Sequence, residues 1–272
     1  MSGARPITFL SDYGPADEFA GVCRAVIARI APGARVIDLA HGIPGYDVGH
    51  GAAMLARALP YAPPGIHLAV VDPGVGSTRR AVAVRVAEGD RVLVGPDNGL
   101  LSLAIERLGG PGEAVDVSAS AVRLEPLSAT FHGRDLFAPV AAHLALGTTL
   151  TELGEPIDPA GLAGLERPAA VIEPGMKLTA TVSHLDGYGN ASLIATAEDA
   201  ASAGLEPGGG IRVRAGGAEH DGVYGRTFVD VDRGELLLYR GSSGELALAV
   251  NLGDAGSLLG VVAGDELELV RA

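Results

Sequence analysis

The chain has 272 residues, of which 47% are hydrophobic and 19% charged, a composition typical of a globular protein. Its formal net charge of −13 argues against nucleic-acid binding, which requires a positive footprint. No apolar stretch reaches the length that crosses a bilayer, about 18 residues, and the first residues lack a signal-peptide pattern. The single cysteine, Cys23, excludes an internal disulfide, and its helix-like surroundings predict a buried small hydrophobic residue. We therefore expect a cytoplasmic protein with no membrane or nucleic-acid partner.

Strand and helix patterns alternate along the first half of the chain. Apolar runs predict strands at 6–10 and 35–39 and within HLAVVD, AVAVRVA and RVLVG. Helices are predicted at about 18–30, at 47–59 and over LLSLAIERLG, whose apolar residues follow the 3.6-residue period. This alternation predicts an α/β domain over residues 1–165, with a mainly parallel sheet covered on both faces.

The pattern changes after residues 166–172, which are predicted to be a linker. From Met176 onward, glycine-rich turns separate short β-rich runs such as KLTATVSHLD, ASLIAT, ELLLYRG and ELALAV. Several strands at this spacing favour an antiparallel barrel or sandwich. We expect an all-β C-terminal barrel domain over residues 173–272.

The segment HLAVVDPGVGSTRRAVAVRV carries the first candidate site. Its Pro-Gly-Val-Gly turn begins after the carboxylate of Asp72 and ends near the guanidinium of Arg79. Open α/β sheets bind ligands at the carboxyl ends of their strands, which is where Asp72 is predicted to lie. These two residues are therefore candidates for a functional site.

Other motifs allow both a structural and a functional interpretation. Asp12 in LSDYG follows the first strand, where a carboxylate accepts both hydroxyls of a ribose or caps a helix. Asp97 and Asn98 in GPDNG favour a structural turn. His132 in FHGRD precedes a helix and is a candidate to meet substrate, and His41 also follows a strand.

Metal and phosphate motifs are missing from the sequence. It contains no HExxH or paired-cysteine spacing, no GxxxxGK[ST], and no GxGxxG after the first strand. We therefore expect no metal site and no nicotinamide cofactor.

Two turns in the second half carry further polar residues. LDGYGN offers Asp186 and Asn190 around Tyr188, a set that would hold the ammonium and carboxylate of an amino acid or would simply form a hairpin. YRGSSGELALAV contains Ser242 and Ser243 in another glycine-rich turn, which taken singly indicates a hairpin.

Taken in order, LSDYG, VVDPGVGSTRR, GPDNG, FHGRD, LDGYGN and SSGELALAV resemble the motifs of one enzyme family over nearly the full length. The family is the S-adenosyl-L-methionine (SAM) hydroxide adenosyltransferases, also called SAM hydrolases (adenosine-forming), which are related to the fluorinase and chlorinase. The resemblance implies an α/β domain followed by a β-barrel. It also implies a homotrimer with its sites at subunit interfaces, between the first domain of one subunit and the second domain of its neighbour.

The resemblance also implies roles for individual residues. Asp72, Arg79 and His132 match the set that holds and polarises the attacking water, and Asp12 matches the acid that binds the ribose hydroxyls. Tyr46 matches the aromatic position by the methionine chain, and Tyr188 matches the one near the adenine. Asp186 and Asn190 match the pair that holds the methionine ammonium and carboxylate. Ser242 and Ser243 lie in the turn that family members use near the ligand. Tyr188 replaces the family's usual phenylalanine, and Gly241 replaces the usual asparagine before the turn.

The implied reaction is in-line attack of water or hydroxide at C5′ of SAM, giving adenosine and L-methionine, with SAM as substrate and no cofactor. The sequence leaves open whether Asp72 or His132 is the base. The alternatives are a chlorinase-like halogenase and a non-catalytic adenosine- or SAM-binding protein. The resemblance argues against the halogenase, since halogenases carry tyrosine where Asp72 and His132 stand and the fluorinase carries serine at the Gly133 position.

Overall fold

The computed structural model describes residues 3–272, which divide into two compact units, one ending at Leu165 and one spanning Glu166–Ala272. Each unit has hydrophobic core of its own. In the part of the chain that the structure describes, no helix is both long and apolar enough to cross a membrane.

The first unit is built on seven strands and five short α-helices. The strands are β1 (Ile7–Ser11), β2 (Val36–Ala40), β3 (Ile66–Val70), β4 (Ala81–Val86), β5 (Val92–Pro96), β6 (Pro111–Asp116) and β7 (Glu155–Ile157). The helices are α1 (Phe19–Ile30), α2 (Val48–Ala58), α3 (Ser102–Arg107), α4 (Ala138–Ala145) and α5 (Leu150–Leu153). A π-helical turn, Gly133–Phe137, leads directly into α4.

The seven strands form one sheet in the order β2-β1-β3-β5-β4-β6-β7. Strands β2, β1, β3, β5 and β6 run in one direction, and β4 and β7 run antiparallel to their neighbours. The prediction of a mainly parallel α/β sheet is therefore confirmed.

Alternating side chains along the strands contribute to the hydrophobic cores on both faces of this sheet. In β1, Ile7 and Phe9 join the core formed with α1 and α4, whereas Leu10 joins the core formed with α2 and α3. Successive side chains of a strand point to opposite faces, so one run of apolar residues supplies two cores. Cys23 on α1 is fully buried, and burial raises the pKa of its thiol to about 12.

The second unit contains eight strands and two short helices. They are β8 (Val171–Glu173), β9 (Lys177–Leu185), β10 (Ala191–Thr196), α6 (Ala197–Ser202), β11 (Gly210–Ala215), β12 (Ala218–Tyr224), β13 (Leu236–Arg240), β14 (Glu245–Val250), α7 (Ala255–Leu259) and β15 (Glu266–Arg271). Strand β9 pairs with β10 and closes a seven-stranded barrel, and β8 adds to the side of β9. The predicted C-terminal barrel is confirmed.

One pair of barrel strands departs from the expected antiparallel arrangement. β12 and β13 are parallel, with Gly222 opposite Leu236 and Tyr224 opposite Leu238. The residues between them include the 3₁₀ turn Phe228–Asp230 and return the chain to the end where β12 begins. Parallel strands need such a crossover, whereas a tight hairpin would have given the antiparallel pair.

The sheet of the first unit brings two candidate acids to one edge. β1 and β3 are parallel neighbours, with Ser11 opposite Val70. Asp12 and Asp72 therefore follow the carboxyl ends of adjacent strands, the edge at which α/β sheets hold their ligands.

Candidate active site

The turn between β3 and β4 folds Arg79 back onto Asp72. Arg79 Nε donates to Asp72 Oδ1 at 2.9 Å, and Arg79 Nη2 contacts Asp72 Oδ2. The two side chains are only 11% and 6% exposed, so solvent screens this bidentate pair less than it screens a surface ion pair. At Gly76 the backbone has a φ of 79°, and a Cβ would lie 2.5 Å from Ala129 O, so the turn requires glycine there.

His132 completes a cluster with this ion pair. Its Nδ1 lies 3.0 Å from Arg79 Nη2, although 53 residues separate them in the chain. Arginine has no acceptor atom, so Arg79 donates and His132 Nδ1 accepts. Burial first and the Arg79 charge second lower the pKa of His132, against opposing effects of Asp72 and Asp135. The imidazole is therefore neutral near pH 7, with its proton on Nε2.

Asp12 lies beside Tyr46, the aromatic residue that the resemblance places by the methionine chain. The Tyr46 backbone N–H donates to Asp12 Oδ2 at 2.9 Å, and the Tyr46 side chain is 75% exposed. This hydrogen bond uses one lone pair of Oδ2, so the other lone pairs of the carboxylate can still accept hydrogen bonds.

A hydrogen-bonded chain that sequence reasoning did not assemble supports the Asp12 turn. Ser11 Oγ lies 2.7 Å from His41 Nδ1, and His41 Nε2 lies 3.0 Å from Asp38 Oδ1. Asp38 Oδ2 accepts from Arg24 at 2.5 Å. Ser11 is fully buried, so this Ser-His-Asp arrangement positions the end of β1 and does not present a nucleophile. In the sequence, the only indication of this arrangement was that His41 follows a predicted strand.

The polar residues of GPDNG hold their own loop. Asp97 accepts from Arg80 Nε at 2.8 Å and from the Ala163 backbone N–H at 2.8 Å. The Asn98 side chain donates to Val71 O at 2.9 Å. Both side chains therefore have structural partners.

In the second unit, the residues of LDGYGN converge on one carboxylate. Asp186 Oδ1 accepts from the backbone N–H groups of Tyr188 and Asn190 at 2.8 and 3.0 Å, and Asp186 Oδ2 accepts from Asn190 Nδ2 at 2.9 Å. Asn190 is buried, whereas the Tyr188 side chain is 84% exposed. The loop therefore holds a carboxylate and an amide together beside an exposed aromatic ring.

The turn with Ser242 and Ser243 joins β13 to β14. Its backbone is closed by hydrogen bonds from Gly241 N to Glu245 O and from Gly244 N to Gly241 O, at 2.7 and 3.0 Å. Ser242 is exposed and Ser243 half-buried. Within residues 3–272, the structure gives neither serine a side-chain hydrogen bond to Asp186 or Asn190.

The structure thus brings the predicted residues together in three local groups. Asp72, Arg79 and His132 form one cluster, Asp12 and Tyr46 a second, and Asp186, Tyr188 and Asn190 a third. Among residues 3–272, no set of three or more His, Cys, Asp or Glu side chains is placed to hold a metal ion.

The chain matches the models of one protein family over most of its length. The model of the SAM hydroxide adenosyltransferase N-terminal domain matches residues 7–154, and that of the C-terminal domain matches residues 180–268. The (R)-S-adenosyl-L-methionine hydrolase of Salinispora tropica is 47% identical over 265 residues, 97% of each chain. A fluorinase of an Actinoplanes species is 28% identical over 90% of each chain.

A solved structure is similar to this chain over nearly its full length. The crystal structure of an uncharacterized conserved protein from Thermotoga maritima matches with a TM-score of 0.90 at 37% identity, covering 97% of this chain and 100% of that one. The chain belongs to the SAM hydroxide adenosyltransferase family.

Proposed function

We propose that this chain hydrolyses SAM to adenosine and L-methionine. The observation that carries the proposal is the cluster of Asp72, Arg79 and His132, set at the sheet edge next to the Asp12 carboxylate. Membership of the SAM hydroxide adenosyltransferase family supports it. The name of the Salinispora tropica relative specifies the (R) isomer, so we propose the (R) configuration at sulfur for the preferred substrate.

The reaction is a displacement at C5′ of the adenosyl group. The oxygen of water forms a bond to C5′ while the C5′–S bond breaks, and the bonding electron pair stays on sulfur as the thioether of methionine. The leaving group is neutral, so no general acid and no cofactor are needed. The protein has to align the water opposite the C–S bond, and alignment of this kind contributes about 7–11 kcal/mol.

Asp72 is the better candidate to accept the water proton. The Nδ1 lone pair of His132 is occupied by Arg79, and Nε2 carries the proton of the neutral ring. His132 in that tautomer orients the water by donating to it. The Asp72 oxygens retain lone pairs after pairing with Arg79, and Arg79 stabilises the hydroxide character that develops.

The remaining candidate residues bind different parts of the substrate. Asp12 accepts the ribose hydroxyls, and the exposed ring of Tyr46 lies along the methionine chain. The Asp186–Asn190 pair holds the methionine ammonium and carboxylate, with Tyr188 near the adenine and the turn of Ser242 and Ser243 near the ligand. A carboxylate and an amide provide the acceptors and donors that a zwitterion requires.

The alternative nucleophile is a halide. A halide must be held where the buried carboxylate of Asp72 lies, and like charges repel strongly when solvent is excluded. Water is neutral, so the Asp72 carboxylate does not repel it. We therefore assign the site to water.

The deciding experiment incubates the purified protein with each sulfonium epimer of SAM in ¹⁸O-water and identifies the products by mass spectrometry. We expect ¹⁸O in adenosine, L-methionine as co-product, faster turnover of the (R) epimer and no change with EDTA. Formation of 5′-chloro-5′-deoxyadenosine in chloride buffer would reassign the chain as a halogenase. Tight SAM binding without turnover would reassign it as a binding protein.

We further propose a homotrimer in which each site combines the first unit of one subunit with the second unit of its neighbour. Asp72→Ala and Asp186→Ala variants would each be inactive alone. Mixed and reassembled together, they would regain activity, because some interfaces would then contain both wild-type halves. A monomeric mass in solution, or no recovery in a confirmed mixed assembly, would exclude this arrangement.

A further inference from the structure

Tyr13, in the turn that carries Asp12, reaches the peptide after His132 with its side chain. Its ring packs edge-on against Phe9 and Phe131, with centroids 6.4 and 5.7 Å apart, and at a tilt against Phe19 at 5.9 Å. Edge-to-face contacts of this kind fix a ring in position. The place of the phenol oxygen is therefore set by the three rings.

The phenol oxygen occupies the space where a side chain at position 133 would stand. A Cβ on Gly133 would overlap the Tyr13 hydroxyl oxygen and would lie 2.9 Å from Tyr13 Cζ. Gly133 is buried and has no positive φ, so the backbone conformation does not require glycine. The requirement comes from the volume of Tyr13.

The charges around the phenol belong to the candidate active site. Burial first, then Cys23, and then the carboxylates of Asp12 and Asp72 raise the pKa of Tyr13, whereas Arg79 lowers it. The phenol is therefore neutral throughout the working pH range and stays a hydrogen-bond donor.

We propose that Tyr13 and Gly133 form a matched pair that sets the position of His132 and hence the width of the water site. Tyr13 is a positioning residue in this proposal, which rests on the proposed hydrolysis. The pair explains why the site takes no side chain at 133, since any Cβ would displace either the ring or the peptide that carries His132.

The test is a double-mutant cycle of Gly133→Ala and Tyr13→Leu. Gly133→Ala is expected to lower kcat about 10²-fold with KM changed less than about threefold, because displacement of a catalytic group by about 1 Å has that effect. Tyr13→Leu in the same chain removes the overlapping ring and is expected to restore kcat at least tenfold relative to Gly133→Ala. Gly21→Ala is the matched control, since its Cβ meets only Arg24 Nη2 at 3.8 Å.

Two further measurements separate positioning from a general loss of structure. Titration of His132 by NMR is expected to show its pKa moving up toward 6.5 in Tyr13→Leu, because more water reaches the imidazole. Tyr13→Phe keeps the ring and is expected to leave the melting temperature, the His132 titration and kcat close to their wild-type values.

Several outcomes would overturn the proposal. It fails when the double variant is no more active than Gly133→Ala, or when Tyr13→Leu leaves both kcat and the His132 titration at wild-type values. A wild-type protein that releases no adenosine refutes the proposed function instead. The NMR titration and the melting temperatures of the cycle still decide whether the two residues are coupled in that case.

Discussion

The backbone N–H of Tyr46 donates a 2.9 Å hydrogen bond to Asp12 Oδ2, and Tyr46 itself has a φ of 69°. A positive φ is uncommon for a residue other than glycine and persists only where surrounding contacts hold it. The contact that holds it here is the carboxylate proposed to bind ribose. This one hydrogen bond thus holds the loop before α2 against the turn after β1.

Replacing Asp12 is expected to weaken substrate binding more than turnover. Asp12→Asn keeps an acceptor for the Tyr46 N–H but loses the charge that strengthens bonds to the ribose hydroxyls. We expect KM to rise about 10- to 100-fold, the equivalent of about 1.4–2.7 kcal/mol, with kcat within about threefold. Steady-state kinetics measures this, with Asp47→Asn at the start of α2 as control. A fall confined to kcat would contradict the assigned role.

Arg79 and its neighbour Arg80 offer a matched comparison. Arg79→Lys removes the fork that binds Asp72 and His132, and we expect kcat to fall about 10²- to 10³-fold. Arg80→Lys changes an arginine that pairs with Asp97 and should leave kcat unchanged. Equal losses in both variants would show that the effect is structural.

The pH dependence of turnover follows from the lowered pKa of His132. The neutral imidazole is the form that accepts from Arg79, and protonation requires a pH below the ordinary histidine value of 6.5. We expect kcat to hold as the pH falls through 6.5 and to decline only below it. His132→Asn keeps a donor and should flatten the acid limb. Half-maximal activity above pH 6.5 would refute this assignment.

His41 is expected to affect the Asp12 turn through Ser11. His41→Phe removes its contacts to Ser11 and Asp38 and leaves a buried hydroxyl without its partner, which costs about 1–3 kcal/mol of unfolding free energy. Chemical denaturation measures that loss, and KM should rise with it. His41→Gln, which retains a donor and an acceptor, should recover part of both. An unchanged KM in His41→Phe would separate this chain of contacts from the site.

His67 makes stability depend on pH at the other end of the sheet. It is fully buried between Thr8 and Arg91, and burial, followed by the charges of Arg91 and Arg5, lowers its pKa to about 3. Between pH 6.5 and about 3 the unfolded chain binds the proton that the folded chain excludes, so stability falls as the pH falls. The melting temperature of His67→Gln should fall less over this window. Parallel curves would contradict the linkage.

The sequence indicated the parts of the site that depend on local order. The Pro-Gly-Val-Gly turn places Arg79 seven residues after Asp72, and LDGYGN places Asn190 four residues after Asp186, so short loops suffice to bring each pair together. The order of strands and helices likewise predicted the α/β class. Period-2 and period-3.6 patterns report burial, and burial is what the two faces of the sheet impose.

Contacts between distant segments were not predictable in the same way. The chain from Ser11 through His41 to Asp38 depends on the pairing of β1 with β2, and the fit of Tyr13 to Gly133 depends on the packing of the turn before α4. The parallel pair β12–β13 depends on the path of a crossover. Hydrophobic patterns carry no information about which distant elements become neighbours, so these features appear only in the folded molecule.

The separation of the cluster along the chain has a consequence for biosynthesis. A growing chain that has passed Arg79 already contains the acid and the cation of the candidate site, whereas His132 is synthesised 53 residues later, at the start of the turn that leads into α4. The candidate site is therefore complete only after the residues of β1 to β6 have been synthesised. A ribosome-bound fragment that stops before residue 132 would contain the ion pair without its third member.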